Sequence, residues 1–470
     1  FTLFSILLAA TPFTGSAGAL WLIGMRVGQG VGGAMLFANS SAIITDSFPE
    51  DQRGLALGIN GVAAIAGSFL GLILGGILAP VDWRLVFLVS VPFGLFGTVW
   101  SYAKLRDLSE RRHARIDWLG NVTFAAGLVA VMVGITYGIQ PYAHHTMSWT
   151  SPQVLAELGG GAVLLVAFAI IELRVSEPMF HLQLFRVRAF AAGNLAALLS
   201  AVARGGLQFV LIIWLQGIWL PRHGYDFSST PLWAGIYMLP LTAGFLIAGP
   251  LSGFLSDRFG ARPFATSGMV VAALSFLLMA RLPVDFSYLP FAALLTLNGV
   301  GMGLFASPNR AAVMNSLPPR QRGVGGGMNA TFQNSAMVLS IGIFFSLLIA
   351  GLSSRLPGSL YRGLAAHGVP SANATAIAHL PPVASLFAAF LGYNPIHRLV
   401  GGALLSTLHH SQVATLTGRA FFPSLMAGPF ASALATVFAF SSAVCLVAAG
   451  ASWLGGGKYH YSDNPALGSG

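Results

Sequence analysis

Charge is what this sequence has least of. Only 8% of its 470 residues are Asp, Glu, Lys or Arg, about a third of the roughly 25% found in soluble domains. Set against a hydrophobic content of 55%, that shortage points away from a water-soluble fold. Cysteine is scarcer still. The single Cys445 sits in an apolar run and makes an intramolecular disulfide impossible. No Gly-x-x-x-x-Gly-Lys-Ser/Thr loop is present, which argues against ATP as the energy source. The ~10-residue alternating segments of a transmembrane β-barrel are missing too. The histidine pairs at His144 and His409 have no acidic or cysteine companions, so no metal site is expected. No reactive His/Asp or Ser/His set stands near a membrane interface, so the chain does not read as an enzyme.

What the chain has instead is apolar runs of about 20 residues, each long enough to cross a bilayer. They predict an all-α polytopic membrane protein. About twelve spans are readable: 1–14 (a remnant), 19–48, 54–79, 85–103, 118–139, 152–173, 190–220, 231–255, 263–280, 288–317, 323–352 and 423–454. Phe1 opens inside an apolar run, so the sequence reads as truncated at its N-terminus. Alternate loops fall on opposite sides. One side holds fourteen positive charges, among them Arg53, Lys104, Arg258 and Arg262, while short loops on the other hold three. The positive-inside rule makes the first side cytoplasmic, and the expected location is the cell membrane. The net charge of +10 is therefore read as membrane orientation, with the lipid bilayer as partner and no nucleic acid. The outer segment 353–422 is expected to hold interfacial or re-entrant helices at 383–393 and 399–408.

Two stretches match without a gap at an offset of 269. "GVGGAMLFANSSAIITDSFPEDQRGLALGIN" begins at Gly30 and "GVGMGLFASPNRAAVMNSLPPRQRGVGGGMN" at Gly299, with 11 identities in 31 positions. Parallel repeats of this kind are a transporter signature. The repeat places the matched helix fourth of six in each of two bundles. The domains then read as an N-terminal bundle 1–103 lacking its first two helices, an inserted pair 104–187, a C-terminal bundle 188–454 with the outer loop 353–422, and a tail 455–470.

Three motifs carry a family resemblance over essentially the whole chain. They are "LIGMRVGQGVGG" from Leu22, "GFLSDRFGAR" from Gly253 and "GSFLGLILGG" from Gly67. With the layout, they make the chain resemble the major facilitator superfamily, and within it the fourteen-span drug:proton antiporters. The resemblance implies a major facilitator fold of two pseudo-symmetric six-helix bundles with two extra central helices. It implies a proton-coupled secondary transporter that exports small amphipathic compounds by alternating access. The alternatives are export of a specific metabolite or lipid, or a non-transporting receptor. The energy source would be the proton gradient, with no cofactor. The partners would be the small-molecule substrate and a periplasmic or envelope adaptor.

Each motif has a physical reading and a plainer rival. Arg26 lies about 10 Å from the outer end of its span at 1.5 Å per residue. A charge there costs at least ~2.5 kcal/mol unless water or a counter-charge compensates. The resemblance makes it a proton-coupling residue, with a partner acid expected on the missing first helix. The rival is snorkelling to the interface. Gly253, Asp257, Arg258, Gly260 and Arg262 resemble the cytoplasmic gate motif. Gly260 permits a tight turn, and the arginines can hold carboxylates or carbonyls of the other bundle. The rival is a charged loop that only fixes topology. Gly67, Gly71, Gly75 and Gly76 resemble the antiporter glycine motif, with Leu72 in the proline position. The rival is small-residue helix packing. Gln29, Asn60, Arg204, Gln208, Asn298, Asn329 and Gln333 are polar residues within spans. They are candidates either for lining a transport cavity or for interhelical hydrogen bonds.

Overall fold

A computed structural model describes residues 1–47, 63, 67, 70–71, 73–104, 117–140, 142, 147–176, 178–318, 321–392 and 394–455. Among them the chain is helical, and nine helical stretches are long and apolar enough to cross a membrane. The all-α polytopic class read from the sequence is the observed one. The expected twelve spans differ at the N-terminus. Helix α1 (Thr2–Ala9) has 8 residues, short of a full span. Helix α2 (Gly15–Ser47) is long enough at 33 residues, but Arg26 and Gln29 lower its hydropathy. The run 54–79 falls mostly outside the described residues.

The chain divides into two compact units. One comprises 1–113 with 228–236, the other 114–227 with 237–470. In the first, α1 lies along α2 because α2 carries glycine at a spacing of four. A Cβ at Gly28 would overlap the ring of Phe4, and one at Gly32 would overlap the backbone of Phe1. Such spacing lets two helix axes approach closely. Helix α3 (Ser90–Lys104) follows in the same unit.

The second unit begins with α4 (Trp118–Gly138) and α5 (Pro152–Glu172), the pair that the repeat reads as inserted. Both start on side-chain caps. Asp117 accepts the Gly120 amide at 2.8 Å and Ser151 accepts the Val154 amide at 3.2 Å, with Pro152 in the first turn. They cross where Gly127 faces Gly161, each glycine lying against the other's carbonyl. After α5 the chain is tied down by Glu172, which accepts the Phe180 amide at 2.9 Å. Phe180 packs edge-on to Phe168 and Phe332. Helices α4 and α5 are thus anchored to helices that follow them.

Those helices are α6 (Arg188–Gly205), α7 (Leu207–Trp214), α8 (Leu239–Phe259), α9 (Ala261–Met279), α10 (Tyr288–Asn315) and α11 (Arg322–Ala366). The short outer α12 (Pro382–Phe390) and the closing α13 (Phe421–Leu454) complete the unit. Helix α10 is gripped on two sides. A Cβ at Gly268 of α9 would press on the Gly301 carbonyl, and one at Gly299 on the Leu241 carbonyl of α8.

Helix α11 departs from the predicted span, which ended at 352. It continues to Ala366 for 45 residues, about 68 Å at 1.5 Å per residue, more than twice a hydrocarbon core. Leu352, Leu356, Leu360 and Leu364 recur every fourth residue and are all fully buried. That stripe holds the extension against α13, where Ser359 donates to the Leu425 carbonyl at 2.7 Å. The rest of the outer segment forms short helices, and in place of one helix over 399–408 there are two, Ile396–Val400 and Gly402–Leu405, parted at Gly401. Residues 383–390 fall in α12, whose Val383, Leu386 and Ala389 are buried.

Candidate functional site

In the first unit the polar centre is a chain of three side chains. Arg26 Nη1 donates to Gln29 Oε1 at 3.1 Å, Gln29 Nε2 donates to Ser5 Oγ at 2.8 Å, and Ser5 Oγ donates to the Phe1 carbonyl at 3.3 Å. One turn of α2 separates Arg26 from Gln29, so they share a face. The close approach of α1 at Gly28 and Gly32 brings Ser5 to that face. Gln29 is buried at 7% exposure while Arg26 stays exposed. The guanidinium also lies 4.9 Å from the centre of the Phe87 ring, within cation–π range. Among the described residues Arg26 has no carboxylate partner. Its charge is met by an amide oxygen and a ring face.

Of the antiporter glycines, Gly76 lies against backbone. A Cβ there would stand 2.7 Å from Leu232 Cα. Gly67, Gly71 and Gly75 have nothing within 4 Å of that position among the described residues.

The gate motif closes α8 and opens α9. Gly260 sits at φ 85°, ψ 156° between the two helices, a conformation essentially restricted to glycine. A Cβ on Gly253 would meet Ser307 of α10 at an ordinary 3.5 Å. The Arg258 guanidinium lies 5.2 Å from the Phe254 ring and Arg262 lies 3.9 Å from the Trp453 ring. Arg262 thereby ties the start of α9 to the end of α13. Its Nε is buried without a hydrogen-bond partner among the described residues. The Asp257 side chain lies outside the described residues.

The remaining span polar residues separate into two groups. Asn298 is fully buried and donates to Ser275 Oγ at 2.7 Å, joining α10 to α9. Asn329 donates to Asn194 Oδ1 at 2.9 Å, and Gln333 donates to Asn329 Oδ1 at 2.6 Å. This ladder joins α11 to α6. Asn309 of α10 donates to the Gly193 carbonyl at 3.0 Å and joins a third helix to it. Arg204 is half-buried in the last turn of α6, and neither it nor the exposed Gln208 makes a hydrogen bond among the described residues. Asn60 lies outside the described residues.

Sequence reasoning missed Asn194, Asn309, Ser275 and Ser340. Ser340 is the most informative. It donates to the Val202 carbonyl and accepts the Gly206 amide at 3.0 Å, bridging the break between α6 and α7. The signal was present: Gly205-Gly206 interrupts an apolar run, and Ser340 stands at offset 269 from Gly71.

A family model described as Major Facilitator Superfamily matches residues 1–341. The uncharacterized MFS-type transporter YhcA of Bacillus subtilis (strain 168) is 29% identical over 313 residues, covering 66% of this chain and 56% of that protein. Multidrug resistance protein 3 of the same organism is 28% identical over 324 residues, covering 69% and 61%. Riboflavin transporter RibZ of Clostridioides difficile (strain 630) is 25% identical over 334 residues, covering 71% and 69%. The chain thus spans less than two thirds of the length of the first two relatives.

Proposed function

The chain belongs to the Major Facilitator Superfamily, and on that premise we propose that it is a proton-coupled secondary transporter exporting small amphipathic compounds. Alternating access would move the substrate, and the proton gradient would drive it. The observation that carries the reading is the Arg26–Gln29–Ser5 chain. A guanidinium in a membrane helix is costly unless compensated. Here it is held by a neutral amide and a ring, so its charge remains available to a carboxylate or to a substrate group. Proton release and rebinding at such a carboxylate would be coupled to transport by that charge. The relative named for multidrug resistance supports export of varied compounds.

The relative named for riboflavin favours a second reading, a transporter dedicated to one metabolite. The test for both is efflux from cells carrying the full-length protein. The wild type is expected to lower the accumulation of several unrelated amphiphiles and to lose that effect with an uncoupler. The Arg26→Ala variant is expected to lose at least tenfold in efflux rate. Efflux indifferent to uncoupler and to Arg26→Ala would overturn proton coupling through this residue. Transport of one compound only would select the metabolite reading.

A further inference from the structure

Between the inserted helix α4 and the C-terminal helices lies a cavity of about 290 Å³. That is near the lower end of small-molecule sites. None of the residues singled out from the sequence lines it. We infer that it is a binding site for uncharged aromatic amphiphiles, one that exists because α4 lies against α7, α11 and α12. The inference rests on the reading that this protein handles amphipathic compounds.

The walls state the chemistry. Phe209, Phe345 and Phe387 form one continuous aromatic face. Phe209 and Phe345 are 5.0 Å apart between ring centres, and Phe345 is stacked on Phe387 at 6.4 Å and 18°. Phe209 and Phe387 remain 37% and 40% exposed, so the face is open to an occupant. Aromatic faces of this kind take flat rings in offset-stacked or edge-on contact. Among the described residues no charged side chain lines the cavity. A charged ligand would be desolvated there without a partner, at a cost that excludes it. The polar groups are two, Thr136 in the last turn of α4 and Gln140 just after it. The Thr136 hydroxyl already donates to the Met132 carbonyl at 2.8 Å, leaving it an acceptor. The exposed Gln140 amide makes no side-chain hydrogen bond among the described residues, so it offers both a donor and an acceptor. One neutral hydrogen-bonding group beside a flat apolar body is the complement of this lining. The position of α4 is set at Gly342, where a Cβ would overlap Ile135. The lack of a side chain there lets the inserted helix come near enough to complete the cavity.

The probe is benzophenone, an uncharged two-ring ketone whose carbonyl can accept from Gln140. On irradiation it inserts into neighbouring C–H bonds, and Met132 lines the cavity. With the purified full-length protein in nanodiscs, the label is expected on Met132, with tenfold less in Thr136→Trp, which fills the space. Gln140→Leu is expected to lower it about threefold. Burial of Cys445 from a thiol reagent confirms that each variant is folded. Labelling spread over lipid-facing methionines, or labelling of Met132 unchanged by Thr136→Trp, would overturn the site. Co-purified lipid that protects Met132 and is lost in Thr136→Trp would overturn it as well, in favour of an acyl-chain groove. Efflux is measured on the same preparations in proteoliposomes. Efflux without selective labelling leaves transport standing and removes the site. Selective labelling without efflux does the reverse.

Discussion

Ser340 of α11 accepts the Gly206 amide at 3.0 Å and donates to the Val202 carbonyl, so one hydroxyl satisfies both edges of a break between α6 and α7. Gly205 and Gly206 make this possible. A Cβ on Gly205 would press on Met337, and one on Gly206 on the Phe344 ring. Backbone groups left unpaired at membrane depth cost several kcal/mol each unless something re-satisfies them. A serine from a neighbouring helix does so here.

Replacing that serine should therefore be felt as stability. Ser340→Ala leaves the Gly206 amide without its acceptor in a buried place, a loss of about 1–3 kcal/mol. The measurement is thermal unfolding in detergent, read by the reaction of a thiol dye with Cys445, the single and fully buried cysteine of this sequence. The midpoint is expected to fall. An unchanged midpoint would show that water or Val202 rearrangement replaces the hydroxyl.

The contact between α1 and α2 makes a second prediction, on activity. Gly28→Leu must displace the Phe4 ring, since even a Cβ overlaps it. That moves α1 off α2 and takes Ser5 away from Gln29, whose amide donates to it at 2.8 Å. Efflux is expected to drop several-fold while α2 remains helical. Gly24→Leu, where nothing lies within 4 Å of a Cβ among the described residues, is expected to leave efflux near the wild-type level. Equal loss in both variants would separate the α1 contact from function.

How much of this was legible beforehand depended on the kind of signal. Span existence was, because apolar length is a one-dimensional property that a bilayer reads directly. The turn at Gly260 was legible too, since a glycine beside charged residues between two apolar runs has few other uses. The roles of Asn298 and Asn329 were not. Whether a polar residue in a span faces a cavity or a neighbour depends on where Ser275 and Asn194 stand on other helices, and a single sequence gives no helix-to-helix register. The extension of α11 was hidden for a different reason. Its Leu352–Leu364 stripe is amphipathic, so its mean hydropathy falls just where its packing against α13 continues.

Arg262 and Trp453 supply a third prediction. The guanidinium lies 3.9 Å from the ring centre and joins the start of α9 to the end of α13. A cation–π contact of this kind contributes about 0.5–2 kcal/mol depending on desolvation. A double-mutant cycle of Arg262→Gln and Trp453→Leu, measured by the same Cys445 unfolding assay, should return a coupling in that range. Additive effects would mean that the two side chains are merely adjacent.

Gly260 carries the last prediction, because stability and transport can be told apart there. Its φ of 85° with ψ of 156° lies where side chains with a Cβ clash with their own backbone. Gly260→Ala should cost about 1–3 kcal/mol by that strain alone, lowering the unfolding midpoint. Arg258→Gln leaves the turn intact and removes only a charge that lies over Phe254, so its midpoint should hardly move. If the motif acts as a gate, Arg258→Gln will nevertheless slow efflux as much as Gly260→Ala does. If the motif is only a tight turn, efflux will follow the midpoint, and Arg258→Gln will transport like the wild type.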